Sequence, residues 1–427
     1  MAAEQPAQSM VQSGSDIATK SIGSALLFAL ALLAGLAAFS IDLYLPAFPA
    51  MAEELSTTAT GIQLSLTAFL IGAGAGQVVF GPWSDRSGRM VPLLAGLALF
   101  LAASVATIFA TGVEMLVIAR LLQGLGGAGG MAIGRAIILD RATGKAAANA
   151  LSLMMLIGGI APVIGPVVGG VLAEPIGWRG LLAVVAGLGL AALAATLLFV
   201  RESLPRAERE ARKATAKPGV GKALWSRGYL GYVAAFAFGM AIMMSYISAS
   251  PFIYQTMIGL SPVGYGIAFA ANAVGMMVAT TLSTRLVAHF SIRGLTAAGL
   301  AISLAAILIL LAFSFSGAPA GWLMAPLFFA IAPLGLVFGN ATALALSAVP
   351  QSATGTASAL LGLLQFALAG IVAGLVGIGG EHTALPLALT MLASALAAIL
   401  GLVVAGSKSA EHAAEHHQEP LEQPDRG

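Results

Sequence analysis

Residues 201–227 read RESLPRAEREARKATAKPGVGKALWSR, the only long charged segment inside this chain. Six apolar runs precede it, at about 22–45, 61–81, 90–111, 113–138, 147–173 and 178–200. Six follow, at about 228–249, 263–284, 294–315, 321–347, 353–378 and 384–406. Each is close to the roughly 20 residues that a helix needs to cross a bilayer. The charged segment is too short and too polar to bury a core, which excludes a separate folded domain. It reads as a linker. The fold class that follows is all-α: a polytopic membrane protein with twelve transmembrane helices in two six-helix bundles, at 22–200 and 228–406. Polar tails at 1–21 and 407–427 flank them.

Composition points to the same solvent. Of 427 residues, 59% are hydrophobic and 9% charged, against about 25% charged in soluble domains. So few charges cannot cover a water-exposed surface, and the mean hydropathy is +0.95. Fifty-two glycines would weaken soluble helices but suit membrane helices, whose packing favours small residues. The strand-length alternation of outer-membrane barrels is absent. No cysteine occurs, which excludes disulfides and thiolate metal sites. The first twenty residues lack the basic-then-apolar order of a cleaved leader and read as a disordered cytoplasmic tail. The end of the chain from about Lys408 reads likewise; it carries His412, His416 and His417, but no metal site is assigned to them.

Lysine and arginine placement orients the crossings. With the N-terminus inside, Lys20, Arg86, Arg89, Arg141, Lys145, the linker, Arg285 and Arg293 are cytoplasmic. The opposite loops hold Arg179 alone among basic residues, with Glu53, Glu54, Glu114, Glu174 and Glu381. This asymmetry accounts for the pI near 9.0 without a nucleic-acid partner. The expected setting is a bacterial inner membrane, multi-pass, with both termini cytoplasmic.

An ionisable group within a crossing is costly and marks function by default. Residues 294–380 contain no Asp, Glu, Lys, Arg or His, so ion coupling must sit mainly in the first half. Asp42 lies toward the outer end of the first run, Arg120 early in the fourth, and Arg135 near the inner end of that run. Two readings stand for Asp42: a proton-coupling or substrate-binding carboxylate, or an interfacial residue before the bend that Pro46 and Pro49 impose. Arg120 is deeper and reads as the centre of a polar network. Arg135 either serves function, snorkels toward the cytoplasm or pairs with Asp140.

Four stretches of the first half resemble the major facilitator superfamily, and specifically its drug:proton antiporters of the bicyclomycin/chloramphenicol-resistance type. IDLYLPAFPAM around Asp42 is similar to that branch's first-helix signature. GPWSDRSGRM, residues 81–90, resembles the superfamily's loop motif, with Gly81, Asp85, Arg86, Gly88 and Arg89 in the expected places. Gly81 and Gly88 would permit a tight turn and close helix approach. Asp85 would cap a helix or bind an arginine across the interface between the halves, a conformational role. RLLQGLGGAGG from Arg120 resembles the fourth-helix motif whose arginine is implicated in proton transfer; Gln123, Gly124 and Gly126 also match. GGIAPVIGPVVGG ends in a GPxxGG core, Gly165, Pro166, Gly169 and Gly170, that looks like the antiporter signature. Physically it is a bent helix with a bare glycine face, able to make a close, shifting contact. In the second half, residues 248–275 and 339–366 look like the same branch, while the second copy of the loop motif is degenerate, keeping only Arg285, His289 and Arg293. The resemblance covers roughly residues 22–405.

The resemblance implies a major facilitator fold and proton-coupled efflux, by alternating access, of small, largely apolar drug-like molecules. Candidate substrate residues are Tyr44, Gln123, Phe236, Met240, Met243, Tyr246, Asn272 and Gln365. Aromatic and methionine side chains give an adaptable apolar wall, and the amides and tyrosines add a few orienting hydrogen bonds. The same pattern also fits plain bundle packing. Asp42 and Arg120 are expected to interact, and a proton on Asp42 to loosen that contact. The energy source is the proton gradient, with no cofactor and no metal, and the expected partners are the substrate, protons and lipid, around a monomer. A proton-linked symporter or uniporter for a small metabolite is the alternative, against which the GPxxGG core argues. The crossings offer no histidine and no clustered carboxylates, so no enzyme activity is expected.

Overall fold

A computed structural model describes residues 23–206, 209–210, 224–350, 353–378, 380 and 382–406. Most of the linker, both tails (His412, His416 and His417 among them) and Glu381 lie outside the described residues. Among those described, all regular structure is helical. The first half comprises α1 (Ser24–Asp42), α2 (Phe48–Glu54), α3 (Ala59–Ser87), α4 (Met90–Ile108), α5 (Val113–Arg141) and α6 (Gly144–Phe199). The second half comprises α7 (Arg227–Pro251), α8 (Pro262–Leu286), α9 (Ile292–Ser316), α10 (Met324–Ile331), α11 (Phe338–Ser347), α12 (Thr354–Gly377) and α13 (Leu385–Val404). The end where α1 begins and α13 finishes is called the tail end below, and the opposite one the far end.

Eleven helical stretches are long and apolar enough to cross a membrane, and one of them must cross twice. α6 has 56 residues, about 84 Å at 1.5 Å per residue, nearly three times the ~30 Å hydrocarbon core. Its backbone leaves helical geometry at Gly177, with φ 64° and ψ 178°, two residues after Pro175. A side chain is strained at that φ, so glycine turns the chain back there. Twelve crossings result, six in each half.

Proline divides two other crossings. The first stops at Asp42, because Pro46 and Pro49 open the short 3-10 turn Leu45–Ala47 and then α2. The tenth, expected as one helix over 321–347, is two: a 3-10 turn Ala332–Leu336 with Pro333 near its start separates α10 from α11. Such a break in a membrane requires new partners for the freed backbone groups. The Thr280 hydroxyl of α8 is shared between the Met276 carbonyl of its own helix at 2.9 Å and the Gly335 carbonyl at 3.3 Å.

The two halves meet along α3 and α12, where Gly74 lies against Phe366 and Gly362 against Gln77, and more widely at the far end. Gln63 of α3 donates to the Ser248 carbonyl of α7 at 3.0 Å, Thr60 donates to the Gly377 carbonyl, and Phe48 lies 6.1 Å from Phe252, ring centre to ring centre. α6 and α8 touch backbone to backbone, Gly170 against Pro262 and Gly266 against Pro166. Farther along α6 toward the tail end the contact is gone: a Cβ on Gly158 or Gly159 would meet nothing within 4 Å.

Candidate functional site

Arg120 is the largest fully buried side chain of the described residues, with 0% exposure. It sits two turns into α5, facing the broken end of the first crossing. Its Nη1 donates to Gln123 Oε1 at 2.5 Å and its Nη2 to the Ser40 carbonyl at 2.9 Å. The guanidinium carbon lies 4.3 Å from the ring centre of Tyr44 and 4.4 Å from that of Phe69. Two aromatic faces thus substitute for a carboxylate, each cation–π contact worth about 0.5–2 kcal/mol.

The surrounding polar groups are ordered by their own protons. Ser104 donates to the Phe100 carbonyl at 2.7 Å, so it accepts from Gln123 Nε2, also at 2.7 Å. Gln123 is therefore fixed with its oxygen toward Arg120. Ser65 donates to the Ile62 carbonyl at 2.6 Å, so Tyr44 donates to Ser65 at 3.2 Å. Tyr44 and Gln123, both candidate substrate residues, are wholly buried and engaged with Arg120 in this conformation. Arg120 Nε alone has no partner.

Asp42 ends α1 and is 3% exposed. Among the described residues it has no hydrogen bond and no ion pair. The expected Asp42–Arg120 interaction is not formed: Arg120 takes the Ser40 carbonyl instead, and Asp42 is turned toward α6. There a Cβ on Gly165 would stand 2.9 Å from the Cβ of Asp42. Gly169, one turn on, lies against the Leu43 carbonyl, and Gly170 against Pro262 of the second half. The GPxxGG segment thus packs on the carboxylate-bearing turn and on α8 at once. Tyr265 of α8, one residue before Gly266, lies within electrostatic reach of Asp42.

The second half brings aromatic and amide groups to the same level. Tyr246 stacks on Phe269 with centroids 5.4 Å apart, and Tyr254 and Tyr265 lie 6.1 Å apart. Tyr265 and Ser250 share a hydrogen bond at 3.2 Å. Asn272 donates to the Ala268 carbonyl at 2.9 Å and, at 3.5 Å, to the Tyr254 hydroxyl. Its Oδ1 is buried without a partner, and the Tyr246 hydroxyl approaches Tyr254 without closing a hydrogen bond. Phe236 packs edge-on against Phe338 at 5.9 Å, Met240 is buried, and Met243 and Gln365 are half-buried. Of the candidate substrate residues, Tyr246 and Asn272 therefore share one cluster and Tyr44 and Gln123 another. Tyr254, Tyr265 and Ser250 were not foreseen; the signal for them was only that they are polar in apolar surroundings.

At the tail end, Gly88 takes φ 97° between α3 and α4. Arg89 follows it, donating to Asp85 at 2.5 Å, to Ser84 at 2.9 Å and to Asp140 of α5 at 2.8 Å. Glu202, at the start of the linker, accepts the backbone N–H groups of Arg89, Met90 and Leu204 at 2.8, 3.1 and 3.0 Å. It caps the first turn of α4. Burial pushes its carboxyl up, but those three donors outweigh burial and hold it below its ordinary value of 4.5. Two expectations are corrected. Asp85 is held by Arg89, four residues on, in this conformation, as a pair across the halves that breaks in one state allows. Gly81 lies within α3, where a Cβ would meet nothing within 4 Å, so no close approach needs it in this conformation. Arg135 does not pair with Asp140, which Arg89 and Ser203 hold. Arg86 is exposed.

A family model described as the Major Facilitator Superfamily matches residues 30–374. The chain is 34% identical over 375 residues to the MFS-type transporter YdgK of Bacillus subtilis, covering 87% of this chain and 93% of the relative. It is 28% identical over the same length to a bicyclomycin resistance protein homologue of Haemophilus influenzae, with the same coverage. It is 29% identical over 359 residues to a chloramphenicol resistance protein of Pseudomonas aeruginosa, covering 80% of each. Among solved structures, a bacterial homologue of the human lysosomal transporter Spinster, inward-facing and unoccupied, superposes with TM-score 0.70 at 17% identity, over 93% of this chain and 98% of that one. A D-xylose–proton symporter gives TM-score 0.66 at 17% identity, over 88% and 96%. With twelve crossings in two halves and a family match running from the first crossing into the eleventh, this chain belongs to the Major Facilitator Superfamily.

Proposed function

We propose that the protein is a proton-coupled antiporter that exports small, largely apolar drug-like molecules. The observation that carries this reading is the junction at Asp42. There an unpaired buried carboxyl is pressed by the Gly165 turn of α6, and the same segment grips α8 of the second half through Gly170. A change at the carboxyl is therefore felt at the interface on which the halves must rock. Similarity to the bicyclomycin and chloramphenicol resistance proteins supports the substrate class, and transport rather than catalysis as the activity.

In this account both termini and the linker face the cytoplasm, in a bacterial inner membrane, and the halves closed at the far end present an inward-facing state. Burying an unpartnered charge costs several kcal/mol, so transit is least costly with Asp42 as the neutral acid. A proton taken up outside is carried inward on Asp42 and released to the cytoplasm, where substrate takes its place. Arg120, held by Gln123, Tyr44 and Phe69, fixes the α1–α5 contact and keeps positive charge near the proton path. Tyr246 and Asn272 supply the second half's orienting hydrogen bonds, along the apolar wall of Phe236, Met240 and Met243. The working unit is a monomer and needs only the proton gradient, with no cofactor or metal.

The test is export from proteoliposomes. Chloramphenicol flux is expected only against an imposed pH gradient, with acid on the side opposite the linker. Flux in the same direction as the protons would establish the symport alternative instead.

A further inference from the structure

Arg285 lies in the last turn of α8, at the tail end, and among the described residues it has no hydrogen bond and no ion pair. Among the described residues its own half holds no aspartate or glutamate. At that end Asp85 and Asp140 are held by Arg89, and Glu202 by the start of α4. The arginine nonetheless stands at the mouth of an apolar groove of about 420 Å³ that follows one stripe of α8. Val274, Met277, Val278, Thr281 and Leu282 form the rest of the lining. The opposite face of α8 is the one packed into the bundle, where Ser283 accepts from Asn340 at 2.9 Å and Thr280 reaches Gly335. The groove therefore faces lipid.

Its length matches one leaflet. Val274 is at the middle of the 25-residue α8, hence near the bilayer midplane. From Val274 to Arg285 the helix rises about 16 Å at 1.5 Å per residue. Half of the hydrocarbon core is about 15 Å. A chain lying in the groove with its end at Val274 would bring its headgroup to Arg285. We infer that this groove is a binding site for an anionic phospholipid of the tail-end leaflet. One acyl chain lies along Val274, Met277, Val278 and Leu282, and the phosphate pairs with the Arg285 guanidinium. Arginine suits a phosphodiester because its planar fork can donate two parallel hydrogen bonds. The inference does not depend on the antiport reading, since it concerns the lipid-facing side of α8.

Native mass spectrometry of the full-length protein in mild detergent tests it. The probes are dioleoyl phosphatidylglycerol and dioleoyl phosphatidylcholine, which share acyl chains and differ in headgroup charge. The first phosphatidylglycerol adduct is expected to bind about fivefold more tightly than the phosphatidylcholine adduct, the factor that one basic side chain near an anionic surface supplies. Arg285→Gln should bring the two lipids level, and Arg285→Lys should keep most of the preference. Val278→Trp, which fills the groove and leaves the charge, should weaken both lipids. A wild-type protein that retains the two lipids equally would overturn the inference. So would an undiminished phosphatidylglycerol preference in folded Arg285→Gln, or unchanged binding in Val278→Trp.

Discussion

The two halves of this transporter share an architecture and divide the chemistry unequally. The first buries Arg120 and Asp42 within the membrane and ties its tail-end loop with Arg89, Asp85 and Asp140. The second has no ionisable Asp, Glu, Lys, Arg or His from 294 to 380 and presents tyrosines, phenylalanines, hydroxyls and one asparagine at the corresponding depth. The division has a physical logic. A charge that changes during the cycle is costly to bury, and concentrating it in one half lets that half alone be built around the cost. The other half is then free to be a shaped, mostly apolar wall. Among the described residues the halves touch through backbone contact, Gly170 on Pro262 and Gly266 on Pro166, and through neutral hydrogen bonds such as Gln63 to the Ser248 carbonyl, with no ion pair between them.

Substitutions break this comparison with graded severity. Arg120→Ala should be the most damaging, abolishing resistance and lowering stability by about 3 kcal/mol, since it removes two charge-assisted hydrogen bonds and leaves the Gln123 oxygen buried and unpaired. Thermal unfolding in detergent and chloramphenicol susceptibility of an expressing strain check the two parts. Arg120→Lys should recover stability better than transport, because an ammonium cannot lie between two rings as a guanidinium does. Gly170→Val comes next. Its side chain would collide with the Pro262 carbonyl, costing about 1–3 kcal/mol of overpacking in the state closed at the far end. Crosslinking between cysteines placed in α2 and at the α7 end should fall, and transport with it.

In the second half the effects should be smaller and selective. Tyr246→Phe and Asn272→Ala remove orienting groups without touching the carboxyl, so each should shift the preference among substrates by about three- to tenfold, a loss of roughly 1 kcal/mol of hydrogen bonding, while leaving pH dependence intact. Uniform loss across substrates would place these residues in packing alone. The smallest effect belongs to Glu202. Its carboxyl is held below its ordinary value when folded, so its contribution is present above the unfolded pKa and is lost as pH falls through the folded one. Melting temperature should therefore drop in acid below about pH 4.5 in the wild type, and Glu202→Gln should flatten that slope.

Much of this was legible in the sequence because bilayers impose simple rules. The count of crossings, the separate runs at 147–173 and 178–200 and the break at 201–227 follow from hydropathy and charge alone. The tenth crossing was misread as continuous, since Pro333 in a membrane helix marks a break only when a neighbour such as Thr280 can satisfy the freed carbonyl. That is tertiary information. The depth of Arg120 was readable, but the burial of Asp42 and the separation of the two were not. Spacing cannot show that Asp42 faces α6 while Arg120 finds a backbone carbonyl and two rings. Glu202 carried no signal as a cap for α4, because its target lies over a hundred residues earlier in the chain. The loop motif pointed to a conformational role for Asp85, but spacing did not show that Arg89 holds it in this conformation.

The central claim is that Asp42 alone carries the transported proton. Purified protein in weakly buffered detergent, mixed with a saturating dose of an exported drug, should release protons, and Asp42→Asn should release none while still binding the drug. The same variant in proteoliposomes should exchange drug for drug but no longer respond to a pH gradient. Proton release of wild-type size from Asp42→Asn, or export by it at the full gradient-driven rate, would contradict the account.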